Sequence, residues 1–245
     1  MNSEMQPPAE NMGAVPSEAS VFDGLKAALE SSPPPPSIDP EEEKRLRGYE
    51  LDQRVRSAGM PVVAARQALL WARSDGSEGK NGWWEKLRLA RELVERKDTG
   101  RLVLFLGGVG TGKTSVAFVL GVEALMSAKT VRYLTWQDLG LHFEAAKAAS
   151  EGVCDDEFST RKAVNNYFSR LDLLILDEAD KGMDSTATMR LITNVISARE
   201  AHRRPTIIIS NFQARDLGKF LGPSLVDRAN ANRAALTFDW ESFRR

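Results

Sequence analysis

The sequence from residue 101 to residue 114 is Arg-Leu-Val-Leu-Phe-Leu-Gly-Gly-Val-Gly-Thr-Gly-Lys-Thr. Its apolar, branched first half predicts a buried strand, and a helical pattern of apolar residues begins at Lys113. The glycine-rich segment between them matches the phosphate-loop pattern G-x-x-x-x-G-K-[ST], in the strand–loop–helix order that this pattern requires. We therefore predict that this segment binds the phosphate groups of a nucleotide.

The residue types of this loop suit phosphate binding for separate physical reasons. Glycines allow backbone N–H groups to surround phosphate oxygens, and the helix N-terminus adds a partial positive charge. Lys113 is predicted to reach the β- and γ-phosphates, and the Thr114 hydroxyl to bind Mg²⁺. The predicted nucleotide-binding residues are Gly107, Gly108, Val109, Gly110, Thr111, Gly112, Lys113, Thr114 and Ser115. ATP and Mg²⁺ are the cofactors that we expect.

A second apolar run ends in two acidic residues. Leu173–Leu176 is followed by Asp177 and Glu178, and Asp177 is predicted to hold Mg²⁺ through a water molecule. Glu178 is predicted to orient or deprotonate the attacking water, which indicates ATP hydrolysis rather than a kinase reaction. A third apolar run, Thr206–Ser210, ends in Asn211. This amide either hydrogen-bonds the γ-phosphate or the attacking water, or it only ends the strand in a turn.

Short apolar runs alternate with helical patterns in the part of the chain that begins at residue 101. The predicted strands are Arg101–Leu106, Thr130–Thr135, Asp172–Leu176 and Pro205–Ser210, with a fifth strand near the C-terminus. The predicted helices are Lys113–Met126, Gln137–Ala149, Thr160–Ser169 and Thr186–Glu200. Such alternation predicts an α/β fold, in which a five-stranded parallel sheet lies between helices.

Three helices are predicted before this sheet. Asp39 is a predicted N-cap, and Pro40 is the first residue of a helix that continues to about Ala58. Further helices are predicted at Val62–Ala72 and at Trp84–Arg96, where apolar residues recur at helical spacing.

The charge distribution divides the chain. Residues 1–43 carry nine acidic residues and one basic residue, a net charge of −8, whereas the remainder has 32 basic and 25 acidic residues, a net charge of +7. The acidic segment is rich in proline, which predicts a flexible tail, and the basic body favours either polyanion binding or solubility alone. We predict a disordered tail over residues 1–38, a helical linker region over residues 39–80 and an ATPase domain over residues 81–245.

One segment of the tail has a helical pattern. Phe22, Leu25 and Leu29 form an apolar stripe in Ser20–Glu30, which favours a short helix that binds a groove on a protein partner. Pro33–Pro36 would act as a stiff spacer after it. The alternative is a solubilising tail whose few apolar residues bind nothing.

Composition excludes several classes of protein. The sequence has no run of about 18 apolar residues for a membrane span, and its first residues lack the basic and apolar segments of a signal peptide. Cys154 is the only cysteine, which excludes an internal disulfide and a cysteine-cluster zinc site. A cytoplasmic protein without a membrane partner is expected.

In chain order, these motifs resemble the AAA+ ATPases of the DnaC/DnaI replicative helicase loader and IstB-like transposition helper group. The resemblance extends over about Trp84–Arg245, and it also rests on Ser210-Asn211 and on the segment Leu221–Arg228. The ending Leu236–Arg244 is similar to the aromatic-acid-Ser-aromatic-Arg tail of enterobacterial-type loaders, so the chain looks most like DnaC-type loaders. Arg54–Pro61 resembles the Ser-Gly-Ile-Pro stretch that precedes the ATPase core of many loaders.

The resemblance implies a P-loop AAA+ core without a full helical lid. It also implies that Asn211 is the first sensor residue, and that Arg228 is an arginine finger that enters the ATP site of a neighbouring subunit. The predicted catalytic residues are therefore Glu178, Asn211 and Arg228, and self-association through ATP-site interfaces is expected. Arg244 is a weaker candidate for a second sensor.

The function that the resemblance implies is that of a slow ATPase, which engages a hexameric replicative helicase and helps to place it on single-stranded DNA during replication initiation or restart. The alternative is an IstB-like transposition helper that acts on duplex DNA with a transposase. A small P-loop kinase is a third hypothesis, and Glu178, Asn211 and Arg228 argue against it.

A DNA contact is predicted on the basic body. The segment Leu139–Lys147 contains His142, Phe143 and Lys147, and an aromatic ring with a nearby lysine suits base stacking and phosphate contact. An ordinary amphipathic helix is the alternative for the same segment.

Overall fold

The computed structural model describes residues 39–74, 81–96, 102–153, 157–181, 186–213 and 234–243, with the single residues Asp216 and Asp227. The predictions about residues 1–38, including the helix at Ser20–Glu30, lie outside these residues. By its internal contacts the chain divides into Met1–Arg45 and Leu46–Arg245. The predicted domain division at residues 38 and 80 stays a prediction.

Seven helices and five strands are found within the described residues. In chain order they are α1 (Pro40–Ser57), α2 (Val62–Arg73), α3 (Asn81–Glu95), β1 (Leu102–Gly107), α4 (Lys113–Met126), β2 (Val131–Thr135), α5 (Trp136–Val153), α6 (Glu157–Arg170), β3 (Leu173–Asp177), α7 (Thr186–Ala201), β4 (Thr206–Ser210) and β5 (Ala235–Phe238). Among these helices, none is long and apolar enough to cross a bilayer.

The strands form one parallel sheet in the order β2-β3-β4-β1-β5, which confirms the predicted fold class. β1 lies between β4 and β5, so Leu106 has Ser210 on one side and Thr237 on the other. At the far side of the sheet, Asp177 at the end of β3 lies beside Thr135 of β2. Because all five strands run in the same direction, the segments that follow β1, β3 and β4 meet at one edge of the sheet.

Helices cover both faces of the sheet. The side chains of β1 alternate between two apolar clusters: Val103 and Phe105 pack with α1–α4, whereas Leu102, Leu104 and Leu106 pack with α5–α7. Every residue of β1 is buried as a result, which explains why the strand is a continuous apolar run rather than an alternating one. Burying one such leucine side chain stabilises the fold by about 2 kcal/mol.

The predicted start of α1 is confirmed. The Glu41 backbone N–H donates a hydrogen bond of 3.1 Å to Asp39 Oδ1, so the Asp39 side chain caps the helix. At the other end, α1 stops at Ser57, and Gly59 adopts φ +86°. A Cβ atom at Gly59 would lie 2.3 Å from the carbonyl oxygen of Tyr133, so both the backbone conformation and the space require glycine there.

Three helices have boundaries that differ from the predicted ones by three or more residues, and one of them, α6, begins at Glu157 rather than at Thr160. α3 begins at Asn81 rather than at Trp84, because Trp83 is buried inside the fold, with 1% of its surface exposed, and continues the apolar face of the helix. α5 extends over Trp136–Val153 rather than Gln137–Ala149. After β5, residues 239–243 form no helix.

Candidate functional site

The loop between β1 and α4 has the backbone conformation that its glycines predicted. Gly107 and Gly112 have φ values of +136° and +88°, which side-chain-bearing residues rarely adopt. Neither position has room for a side chain. A Cβ atom would lie 2.1 Å from the Phe238 carbonyl oxygen at Gly107, and 2.7 Å from Trp83 Cδ1 at Gly112.

Lys113 is buried at the start of α4, with 5% of its surface exposed. Its Nζ donates hydrogen bonds of 2.8 and 2.6 Å to the carbonyl oxygens of Gly107 and Gly108. The Thr111 hydroxyl donates to the same Gly108 carbonyl at 2.9 Å. The ammonium group is therefore held against its own loop, beside the N-terminus of a helix whose first N–H groups favour anions.

Asp177 is the centre of a hydrogen-bond cluster at the end of β3. Its Oδ2 accepts bonds from the Thr114 hydroxyl at 2.9 Å and from the Tyr133 hydroxyl at 3.0 Å, and its Oδ1 accepts from the Glu178 backbone N–H at 2.7 Å. Burial, followed by the charge and hydrogen bond of Asp177, raises the pKa of Tyr133, so this hydroxyl stays protonated as a donor. A hydroxyl and a carboxylate this close are the hard oxygen ligands that suit Mg²⁺.

Glu178, the next residue, has φ +55°, a left-handed backbone conformation that is uncommon for residues other than glycine. Its carboxylate forms an ion pair of 2.5 Å with Lys181, whose pKa is raised by that hydrogen bond and by the charge of Glu178. The side chains of Lys181 and Glu178 are 59% and 43% exposed. Because exposed ion pairs contribute little free energy, the carboxylate can exchange this partner for another at small cost.

Asn211 follows β4 and is tied to the acidic turn after β3. Its backbone N–H donates to Asp180 Oδ1 and its side-chain amide to Asp180 Oδ2, both at 3.0 Å. Burial of Asp180 opposes its ionisation, but these two bonds, together with a bond from its own backbone and the charge of Lys181, lower its pKa. Asp180 thus remains a carboxylate that fixes the position of the Asn211 amide.

Lys113, Thr114, Asp177, Glu178 and Asn211 line one cavity of about 300 Å³. The predicted residues that line it are Val109, Gly110, Gly112, Lys113, Thr114, Ser115, Asp177, Glu178 and Asn211. The remaining lining residues, which the sequence did not indicate, are Trp71, Lys181, Ile209 and Phe243. One cavity therefore combines a phosphate loop, two lysines, a hydroxyl–carboxylate pair that suits Mg²⁺, a second carboxylate and an amide, which are groups that nucleoside triphosphatases use.

Aromatic residues hydrogen-bond to the carbonyl groups of the loop, and one of them, Phe243, also lines the cavity. The Phe243 backbone N–H donates to the Gly110 carbonyl at 2.9 Å, and the indole N–H groups of Trp240 and Trp83 donate to the carbonyls of Thr111 and Gly112, both at 3.1 Å. In the sequence, the feature that could have indicated this arrangement is the concentration of aromatic residues at 83–84 and 238–243. That concentration alone does not indicate which backbone groups these residues contact.

One prediction about DNA contact is wrong. Phe143 is only 1% exposed and packs in the cluster beneath α5, so its ring is not available to stack on a base. His142 is exposed on the same helix, and its ring lies 5.4 Å from that of Phe168. α5 is therefore amphipathic, as in the alternative interpretation, and the predicted contact of Lys147 with DNA stays a prediction. Arg228 and Arg244 lie outside the described residues, and their predicted roles stay predictions.

Comparison with known proteins places this site in a family. The model of the family described as "IstB-like ATP binding protein" matches residues 88–237, which is more than half of the chain. The replicative helicase loader DnaC of Escherichia coli K12 is 28% identical over 166 residues, which cover 66% of this chain and 64% of that protein. DnaC of Buchnera aphidicola subsp. Baizongia pistaciae is 29% identical over 143 residues, which cover 58% and 56%. The chain thus matches less than two thirds of the length of these relatives.

Solved structures show the same fold at lower sequence identity. Replication initiator DnaA bound to AMPPCP and single-stranded DNA superposes with a TM-score of 0.53 at 19% identity, covering 71% of this chain and 50% of that one. AMPPCP-bound DnaA from Aquifex aeolicus has a TM-score of 0.50 at 21% identity, covering 67% and 47%. The chain has the α/β P-loop fold of AAA+ proteins and belongs to the family of IstB-like ATP binding proteins.

Proposed function

We propose that this protein hydrolyses ATP and acts in the cytoplasm as a loader that engages a hexameric replicative helicase and helps to deposit it on single-stranded DNA during replication initiation or restart. The observation that carries the ATPase assignment is the cavity of about 300 Å³, which Lys113, Thr114, Asp177, Glu178 and Asn211 line together. The loader assignment rests on the similarity to the DnaC proteins.

Phosphate binding is assigned to the loop and to Lys113. In the structure, Lys113 Nζ donates to two neutral carbonyl groups, those of Gly107 and Gly108. Hydrogen bonds between an ammonium group and a phosphate oxygen are stronger than those to a neutral carbonyl. Exchange of these carbonyls for the β- and γ-phosphates is therefore favourable, and the helix N-terminus adds to it.

Magnesium binding and water activation are assigned to the end of β3. Thr114 and Asp177 would hold Mg²⁺, which neutralises charge on the phosphate oxygens when it is bound. Glu178 would leave Lys181 and accept a hydrogen bond from the attacking water, which it orients or deprotonates. Asn211, positioned by Asp180, would donate a hydrogen bond to the γ-phosphate or the same water.

Assembly is proposed to complete the site. Among the described residues, Lys113 and Lys181 are the cations that line the cavity. Transition states of phosphoryl transfer are commonly stabilised by an additional arginine, which in related enzymes increases the rate by about 10³–10⁵-fold. We assign this role to Arg228 of a neighbouring subunit, so that hydrolysis would depend on self-association through the ATP sites.

A transposition helper is the second candidate function, because the matching family is described by its IstB-like members. Such a protein would act on duplex DNA together with a transposase. The basic charge of the body, +7 for residues 44–245, suits either form of DNA, so charge does not separate the two functions.

The experiment that tests the proposal measures partner and DNA preference with one purified protein. The full chain, with ATP and Mg²⁺, is expected to bind a purified hexameric replicative helicase from its own host and to prefer single-stranded over duplex oligonucleotides of equal length. Lys113→Ala, which should lose ATP-dependent behaviour, is the matched control. Duplex preference together with failure to bind the helicase would overturn the loader assignment in favour of the transposition helper.

A further inference from the structure

Three successive carbonyl groups of the phosphate loop each accept a hydrogen bond from an aromatic residue. Gly110 accepts from the Phe243 backbone N–H at 2.9 Å. Thr111 accepts from the Trp240 indole N–H at 3.1 Å. Gly112 accepts from the Trp83 indole N–H at 3.1 Å and also from the Val116 backbone N–H of α4 at 3.0 Å. We call Trp83, Trp240 and Phe243 the aromatic support.

The aromatic support joins two segments that are far apart in the sequence. Trp83 comes from α3, before the sheet, whereas Trp240 and Phe243 follow β5. The rings of Trp240 and Phe243 have centroids 6.2 Å apart, and the Trp240 ring lies 5.3 Å from that of Phe238. Gly112 is in contact with both segments, because a Cβ atom there would lie 2.7 Å from Trp83 and 3.3 Å from Phe243.

The geometry of the peptide group connects these bonds to phosphate binding. A trans peptide is planar, and its C=O and N–H groups point in opposite directions. The carbonyls of Gly110, Thr111 and Gly112 share their peptide planes with the N–H groups of Thr111, Gly112 and Lys113. Donors that fix these carbonyls therefore also fix the N–H group at the other end of each peptide plane, and successive N–H groups of this kind form an anion-binding concavity.

We propose that the aromatic support sets the affinity of the site for nucleotide phosphates by holding the phosphate loop in its binding conformation. The proposal rests on the proposed ATP binding and deepens it: Trp83, Trp240 and Phe243 are positioning residues. A loop that is already ordered loses less conformational entropy when it binds a ligand, so its affinity is higher. The C-terminal segment after β5 is thus part of the nucleotide site, although its residues Trp240 and Phe243 are more than 120 residues from the loop.

Two conservative substitutions test the proposal. Trp240→Phe and Trp83→Phe each remove one indole N–H and keep an aromatic ring. Each is expected to weaken the affinity for fluorescent (mant-labelled) ADP and ATP about fivefold, the effect of one hydrogen bond, and the double variant more than about tenfold. Trp84→Phe is the matched control, since the rings of Trp84 and Trp83 have centroids 4.9 Å apart. This substitution should leave the affinity unchanged.

A second measurement separates positioning from a general loss of stability. Amide hydrogen exchange of the nucleotide-free protein should be faster in Trp240→Phe for the peptide containing Gly110–Lys113, and unchanged in the strands of the sheet. Unaltered affinity and unaltered exchange in both Trp83→Phe and Trp240→Phe would overturn the proposal. Absence of mant-nucleotide binding by the unsubstituted protein would instead overturn the proposed ATP binding, so the two failures are distinguishable.

Discussion

Two buried cations lie at opposite edges of the same sheet, and their surroundings differ. Lys113 follows β1 at the carboxyl edge, is 5% exposed, and donates to two carbonyls of its own loop at the wall of the cavity. Arg199 lies near the end of α7, close to the start of β4, and has no exposed surface. It donates to the Thr206 hydroxyl at 2.9 Å, and to the carbonyls of Phe168, Leu171 and Pro205 at 2.6, 2.8 and 2.6 Å.

Burial of a charge therefore does not by itself mark a functional site. Burial, and then the charge of Arg204, lower the pKa of Arg199 to about 9, so the guanidinium is still protonated at neutral pH. Its acceptors lie in α6, directly after α6, directly before β4 and at the start of β4. Arg199 therefore connects α7 to the end of α6 and to the start of β4. Lys113 instead donates to carbonyl groups of its own loop, and phosphate oxygens can replace these carbonyls as acceptors.

Replacement of Lys113 is expected to have the largest effect on function. Lys113→Ala removes two charge-assisted hydrogen bonds to phosphate, and the affinity for ATP should fall about a thousandfold. Isothermal titration calorimetry measures the affinity, and Lys181→Ala, an exposed lysine in the same cavity, should change it less than about threefold. Equal losses in the two variants would show that Lys113 has no special role, and the contrast with Arg199 would fail.

Glu178 lies at the same edge of the sheet as Lys113, and its replacement should separate nucleotide binding from hydrolysis. Glu178→Gln keeps the size of the side chain but removes the general base, and turnover should fall at least about a hundredfold. ATP affinity should stay within about threefold of the unsubstituted protein. Phosphate release at saturating ATP measures turnover; a variant that hydrolyses ATP at the original rate would refute the assignment of Glu178.

Replacement of Arg199 should give the opposite result. Arg199→Met leaves buried carbonyl groups without a donor, and the free energy of unfolding should fall by about 2–3 kcal/mol. Urea denaturation measures this loss, with the exposed Arg190→Met on the same helix as control, for which less than about 0.5 kcal/mol is expected. ATP affinity of the folded Arg199→Met protein should be unchanged; a selective loss of affinity would instead place Arg199 in the functional machinery.

The sequence predicted the features that depend on local pattern. The strands of the sheet are apolar runs, and the phosphate loop has a fixed spacing, so the residues alone predicted that Lys113, Thr114 and Asp177 lie at one site, and the structure brings them together. The position of Asn211 followed because it ends a strand. Its partner Asp180 did not, since that pairing joins side chains 31 residues apart in the chain.

Other features depend on how helices rotate and pack, which the sequence does not indicate. Phe143 was predicted at a DNA contact, yet α5 turns this ring into the core. Arg199 would pass for an ordinary basic residue in the last turn of a helix, because its acceptors come from distant segments. The aromatic support likewise requires α3 and the segment after β5 to meet at the loop.

Replacement of Tyr133 should have the smallest effect on nucleotide binding. It tests whether a residue outside the sequence motifs helps to position the side chains at the carboxyl edge of the sheet. Its hydroxyl donates to Asp177 Oδ2, the oxygen that also accepts from Thr114. If Thr114 turns to Mg²⁺, the Tyr133 bond continues to orient that oxygen. Tyr133→Phe should therefore raise the Mg²⁺ concentration for half-maximal binding of ATP about three- to tenfold, which corresponds to the roughly 1 kcal/mol that one ordinary hydrogen bond contributes. Nucleotide affinity without Mg²⁺ should not change.

The matched control for this change is Tyr167→Phe, since Tyr167 is 53% exposed and far along the chain from Asp177. The raised pKa of Tyr133 keeps its hydroxyl protonated, so the Mg²⁺ dependence of the unsubstituted protein should not change between neutral and mildly alkaline pH on account of this group. A titration of Mg²⁺ against a fixed concentration of mant-ATP measures both effects. If Tyr133→Phe and Tyr167→Phe have the same half-maximal Mg²⁺ concentration, the side-chain oxygens of Thr114 and Asp177 are positioned without help from β2. The residues of the sequence motifs would then be sufficient to position the Mg²⁺ ligands.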